Sequence, residues 1–505
     1  MRSKNFFAFL ITLLFLAGHP WLSGHPGLSG LWAAEFKHPD FEPAFSLSEV
    51  FAEGQAPASY SADEVFKMGL LFSECQPGSE SWKLCLGEFE KIKRAVKSAE
   101  MQDLTEAERG REILKYLYRN YLKSYSLNQT KLDTALESGS YNCVSSAVLY
   151  LAAAKAAGLE VYGQRTSQHA FCSIYVPGKK AGQTTKIDVE TTNPYGFNPG
   201  SKEEIENANK IKQYYVVPKK YYANRQQVSD GVFTGLIAGN LCSDYIKTGE
   251  YFKALPLGAA RYNAVRTETT GGSVLVRNEF DILPCNYINI RPGSAGEYAS
   301  MLSWFTRFID RWGKTDFIQK NMDACFNNLF ALCVGERNFP LAEDSYNELK
   351  PYVSQKQLDK SHEMLADIFI LSRTDGQDSR EQIQTILEIK ESQDFSAAQQ
   401  KRADLYLENA WLEILNAYMK NRDYTTGYAE SQTAVQQLPQ SSGVKKMNQS
   451  FYSNCIAQIH NDFAREANQR NFEEARDILL QGLEEFPGDK TLTKDLNDIK
   501  VFVED

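Results

Sequence analysis

Three polar side chains in the middle of this chain stand where a thiol-dependent acyl-transfer centre would need them. Cys143 opens a helical run, His169 opens a strand-like run, and Asp188 lies in the strand-like run after it. A cysteine reacts as its thiolate, and the positive end of a helix dipole favours that anion, so a cysteine in the first helical turn is predisposed to ionise. An imidazole can then take the thiol proton and return it later. A carboxylate facing the imidazole across neighbouring antiparallel strands can orient the ring and stabilise its charged form. Cys172 is the local competitor for the thiol role. Strand alternation places 169 and 171 on one face and 170 and 172 on the other, so Cys172 is expected in the core. By the same alternation Glu190 shares a face with Asp188 and would back it up.

The elements that must position these residues are legible nearby. A helix is predicted over Cys143 to Ala157, closed by Gly158 as its C-terminal cap. Three strand-like runs follow: Glu160 to Arg165, His169 to Val176 and Thr184 to Thr192. The segment Pro177 to Gly182 forms a hairpin turn between the last two, and Asn193 to Gly200 forms a loop. One helix followed by strands makes a compact α+β unit, with Gln213 to Val217 as one more strand. Upstream, residues 60 to 136 carry a helical pattern. Thr105 and Glu108 form a capping box ahead of an apolar face of Ile113, Leu114, Leu117, Tyr118, Tyr121 and Leu122. Beyond residue 228 the pattern is helical again, interrupted by a long loop from Thr267 to Pro292. Gly313-Lys314-Thr315 resembles the end of a phosphate loop, but position 308 is Phe and no strand precedes it, so it is a break between helices. The aromatic pairs Tyr214-Tyr215 and Tyr221-Tyr222 are read as packing against this unit, with a peptide or carbohydrate groove as the other use.

Asn142-Cys143, then Gln168-His169-Ala170-Phe171, then Lys186-Ile187-Asp188-Val189-Glu190-Thr191 resemble the three boxes of the transglutaminase-like superfamily. The resemblance covers roughly residues 105 to 200. It implies a papain-like fold of a helix plus an antiparallel sheet, with Cys143 as nucleophile, His169 as general base and acid, and Asp188 as the orienting carboxylate. The Asp box departs from the family in continuing with Val189-Glu190 rather than Pro-Thr. Trp411, Ile414, Tyr418, Gly427, Ala434 and Pro439 are similar in spacing to a tetratricopeptide unit, and Ala475, Leu479, Gly482 and Pro487 repeat the second-helix pattern. Gly427 to Ala475 is longer than one such period, which implies that an extra turn or a longer helix intervenes.

The chain has 505 residues, 43% of them hydrophobic and 24% charged, with a formal charge of −9, so several domains with substantial cores are expected. An acidic chain without a run of Lys or Arg longer than a pair excludes a nucleic-acid surface. Arg2 and Lys4 before the apolar run Phe6 to Gly18 predict an export signal over 1-34, leaving a mature chain without a transmembrane helix in the periplasm or outside the cell. The expected divisions after it are an N-terminal helical segment over 35-104, a transglutaminase-like domain over 105-225, helical hairpins with an inserted loop over 226-400, and tetratricopeptide-like repeats over 401-505. Nine cysteines leave at least one unpaired in a monomer; Cys75 and Cys85 are either a local disulfide or two buried thiols. The four histidines after residue 34 are far apart, and no metal or cofactor is expected. The expected function is an exported cysteine hydrolase or acyl transferase acting on amide bonds of a peptide, protein or cell-wall substrate, with a protein partner on the helical repeats. The alternative is a non-catalytic scaffold whose repeats bind a partner protein.

Overall fold

The helix α6 (Cys143–Ala156) lies at the centre of the elements that precede it and the sheet that follows it. Its run of Val, Ala and Leu is apolar all round, and Val144 through Ala154 are buried, as suits a helix enclosed by other elements rather than lying on a surface. Small alanines let its neighbours approach closely. Around it pack α1 (Ala62–Phe72), α2 (Glu80–Val96), α4 (Glu106–Asn120) and α5 (Leu132–Glu137), while the short α3 (Ala99–Gln102) links α2 to α4. Glu106–Asn120 begins at the expected Thr105/Glu108 capping box.

The computed structural model describes residues 37–180, 182–200, 207, 222, 224–269, 271–290 and 292–503. The expected export signal over 1-34 and the strand at Gln213 to Val217 lie outside the described residues. Two residues of β1 (Ser124–Tyr125) pair in parallel with β2 (Ser140–Tyr141), which feeds directly into α6. The main sheet has the order β5-β4-β3-β6, every pair antiparallel, with β3 (Glu160–Arg165), β4 (Ala170–Pro177), β5 (Thr184–Val189) and β6 (Gln226–Val228). The β3–β4 hairpin closes over Thr166 to His169, and the β4–β5 hairpin closes where the Pro/Gly/Lys turn was expected. The sheet and α6 together bear out an α+β unit, within a chain that is mostly helical.

From Asp230 to Ile499 the described residues form consecutive helices. The expected loop over Thr267 to Pro292 is instead largely a helix, Gly271–Ile288, which buries Val276, Phe280 and Leu283. Its internal Pro284 and the glycines at its start look like breaks in sequence, but apolar burial outweighs the lost backbone bond. Gly313 and Thr315 do separate two helices, Thr315 capping Asp316–Glu336. The later helices Ala397–Asn421, Tyr424–Gln437, Ser442–Asn468 and Phe472–Glu485 stack as hairpins. The length of Ser442–Asn468, 27 residues, accounts for the stretched repeat spacing.

One apolar core runs from Leu47 to Ile368, a second from Ile370 to Phe451 and a third from Cys455 to Ile499. His38–Asp505 forms one compact unit. All nine cysteines are free; Cys75 and Cys85 are buried thiols, Cys75 donating to Ser81 at 3.6 Å. No helix among the described residues is long and apolar enough to cross a membrane.

Candidate active site

Cys143 is the first residue of α6, and its neighbour Asn142 caps that helix. Asn142 Oδ1 accepts from the backbone N–H of Val144 at 2.9 Å and of Ser145 at 3.1 Å, while the Asn142 amide donates to the carbonyl of Leu127. The cap therefore fixes both the helix start and the chain that enters it. Cys143 is only partly buried, in contrast to the other eight cysteines.

His169 ends the turn between β3 and β4. Thr166 donates its backbone N–H to the His169 carbonyl at 2.8 Å, and the Thr166 hydroxyl reaches the same oxygen. This turn holds the imidazole beside the start of α6, where it lines the same cleft as Cys143. Nε2 of His169 lies 2.6 Å from Glu190 Oε2, and both side chains are almost wholly buried. With Nε2 committed to the carboxylate, Nδ1 is the nitrogen that can serve the thiol. Burial by itself would lower the imidazole pKa; the Glu190 charge, the neighbouring Cys143 sulfur and the hydrogen bond that the ring donates to Glu190 override it and raise it to about 10. The ring is thus held as an imidazolium at neutral pH.

Asp188 does not reach this site. The β4–β5 register sets Ser173 opposite Asp188, and Ser173 is four residues along the strand from His169, a separation of about 13 Å at ~3.3 Å per residue. Asp188 instead accepts from the Ser173 hydroxyl at 2.7 Å and pairs with Arg225. Glu190 is two residues closer to the ring on the same face. The carboxylate against His169 is therefore Glu190, which the alternation pattern had placed only as a supporting group, and not Asp188.

Glu190 is fixed from several sides. Its Oε1 accepts from the Thr192 N–H at 3.0 Å and hydroxyl at 2.7 Å, and its Oε2 accepts from the Tyr222 hydroxyl at 2.6 Å. The chain after β5 folds back on itself, with Glu190 N–H donating to the Gly196 carbonyl. A side chain at Gly196 would meet the Glu190 carbonyl at 2.1 Å, so only glycine fits that approach. Below the carboxylate, the Tyr118 hydroxyl reaches the Thr191 carbonyl and Ser146 of α6 meets the Thr191 hydroxyl. The helix carrying Cys143 and the loop carrying Glu190 are thereby tied by one buried polar network.

Tyr222 was expected as a packing residue, and it packs on the site itself. Its ring stands edge-on to His169 at 6.1 Å and to Phe171 at 5.1 Å, covering the imidazole and carboxylate from the third side. Tyr214, Tyr215 and Tyr221 lie outside the described residues. Cys172 points away as expected: it is fully buried, donates to the Ala147 carbonyl at 3.3 Å, and burial pushes its thiol well above the usual range.

Cys143 and His169 open into a cleft of about 340 Å³. One wall is the loop from Leu127 to Thr130, another is the turn from Arg165 to Ala170, and the third is one face of the helix Leu236–Thr248, bearing Leu236, Asn240, Ser243, Asp244 and Lys247. The arrangement offers an accessible sulfur, a charged imidazole in the same cleft and a buried carboxylate behind, which together can perform nucleophilic acyl chemistry. No protein-family model matches the chain, and comparison with curated proteins and solved structures likewise found no match.

Proposed function

We propose that this chain is an exported cysteine hydrolase or acyl transferase acting on amide bonds of a peptide, protein or cell-wall substrate. Cys143 is the nucleophile, His169 the general base and acid, and Glu190 the carboxylate that orients the imidazolium. The single observation that carries this reading is the buried His169–Glu190 pair, at 2.6 Å, set in the same open cleft as Cys143. A structural histidine could be buried against a carboxylate, but it would not also share an open cleft with the one cysteine that is not buried.

The steps follow from these positions. With the Cys143 proton resting on His169, the thiolate sulfur attacks the amide carbonyl carbon, and the carbonyl oxygen becomes an oxyanion at the N-terminus of α6. Asn142 already takes the N–H groups of Val144 and Ser145, which leaves the Cys143 N–H to face the developing charge. His169 delivers its proton to the leaving amine as the C–N bond breaks. Water or an acceptor amine then attacks the acyl-thioester, His169 takes its proton, and the thiolate departs. The order of a helix bearing Cys, a strand turn bearing His and a strand end bearing an acid agrees with the resemblance to the transglutaminase-like superfamily, with the acid moved by two residues. The helical hairpins, with two cores of their own, would supply the surface for a protein partner.

Trapping the thioester tests this reading. Incubation with a peptidyl p-nitrophenyl ester should add the acyl mass to Cys143 at neutral pH, and His169→Ala should slow that addition by about a hundredfold or more. Acylation spread over other residues, or unchanged in the variant, would remove the basis for the proposal.

A further inference from the structure

Resting on the acyl-transfer reading, we infer that the cleft selects substrates carrying a carboxylate close to the scissile amide, and that Arg165 is the residue that recognises it. Arg165 ends β3, lines the same cleft as Cys143 and His169, and starts the turn that carries the imidazole. Behind it lies a partly buried charge cluster with one acid and two cations. Arg165 bonds Glu279 at 2.5 Å, and Arg261, itself 5% exposed, bonds the other oxygen of Glu279 at 2.7 Å. Glu279 is the only carboxylate paired with either arginine among the described residues, so the cluster keeps one excess positive charge.

The hydrogen bonds give the same count. Arg165 Nη1 and Arg261 Nε are both buried without a partner. Guanidinium N–H groups taken from water and left unpaired are costly, and a net charge in such a place is more so. An arriving anion offsets the excess charge at the member of the cluster that borders the cleft. A carboxylate fits the planar fork of a guanidinium. The other charges on the cleft wall, Asp244 and Lys247, pair with each other and are largely exposed, so they leave the excess of Arg165 uncancelled. The imidazolium of His169 is answered by Glu190.

Two alkylating reagents of nearly equal size test this without a known substrate. Iodoacetate carries the carboxylate and iodoacetamide does not, and both modify Cys143. The ratio of their rates is measured in the full chain, in Arg165→Met and in Arg165→Lys. Arg165→Met should lower the iodoacetate-to-iodoacetamide ratio about fivefold, the effect of one charge a few ångströms away in a partly wet site, and Arg165→Lys should restore most of it. Ser243→Asp, on the exposed side of the cleft wall, should lower the ratio without disturbing the charge cluster, which guards against a folding defect in Arg165→Met. Equal ratios in the wild type, Arg165→Met and Ser243→Asp would overturn the assignment. Failure of the acyl-transfer reading would show differently, as slow reaction of Cys143 with both reagents.

Protection experiments then separate the sources of the carboxylate. Three short peptides compete with iodoacetamide: a blocked alanine peptide, the same peptide with a free C-terminus, and a blocked peptide with one Glu. Protection by the free C-terminus assigns a terminal carboxylate, and protection by the Glu peptide assigns an acidic side chain. Protection no better than that of the neutral peptide would contradict the proposal.

Discussion

At the scale of single residues, the site depends on which carboxylate stands behind His169. Cys143 and His169 were legible because each marks the start of an element, where a helix dipole or a turn gives the side chain a defined exit. The acid was not legible from alternation alone, since Asp188 and Glu190 share a face. Register decides between them, and register follows from the hairpin: Pro177 opposite Thr184 carries Asp188 to Ser173, well short of the ring. Tyr222 was missed as a site residue because nothing in its own segment links it to His169; the contact is made only by the fold. Its hydroxyl is one of four donors to Glu190, and a hydrogen bond to a charged acceptor contributes about 1.5–3 kcal/mol. Tyr222→Phe should therefore slow alkylation of Cys143 at neutral pH by about tenfold while the chain stays folded by circular dichroism. An unchanged rate would reduce the hydroxyl to packing.

At the scale of elements, α6 and the β3–β4 hairpin set the Cys–His geometry, and their close packing leaves little slack. The fit of β3 depends on Gly163, where a Cβ would lie 2.1–2.6 Å from the Phe233 ring. Gly163→Ala should cost about 1–3 kcal/mol through overpacking, read as a lower midpoint in urea. It should also slow Cys143 alkylation, because β3 leads into the turn that carries His169, although neither reacting residue is altered. The helix Gly271–Ile288 shows where reading by element failed. Gly271, Gly272 and Pro284 are chain breakers in isolation, yet Leu283 packs against Gly258 of the preceding helix, and a contact of that kind is invisible to local pattern. In the C-terminal hairpins the small residues were informative for the same reason: Gly427 gives room to Phe451 and Gly482 to Ile459.

At the scale of the whole molecule, the buried imidazolium–carboxylate pair couples stability to pH. The folded pKa of His169, about 10, lies above its ordinary value of 6.5. Its contribution is therefore fully present below about pH 6.5 and is lost as pH rises through about 10. The difference in melting temperature between the wild type and His169→Gln should be larger at about pH 6.5 than at any higher pH and should narrow toward pH 10. A difference that widens over that interval would mean the ring is held neutral in the folded chain. The first core, from Leu47 to Ile368, joins the site to the first helical hairpins, an arrangement that the expected divisions at 104 and 225 do not convey because apolar spacing does not say which helices share a core. The two C-terminal cores are separate from it.

In the proposed mechanism His169 activates Cys143 and Glu190 sustains that activation. The most direct measurement is the rate of Cys143 alkylation by iodoacetamide from about pH 5 to 9 in the wild type, Glu190→Gln and Asp188→Asn, with the label located by mass spectrometry. The account predicts a rate that stays high below about pH 7 in the wild type and in Asp188→Asn, and a slow rate at the same pH in Glu190→Gln. A wild-type rate rising only near pH 8.5, the value of an ordinary thiol, or a loss on changing Asp188 and not Glu190, would contradict it.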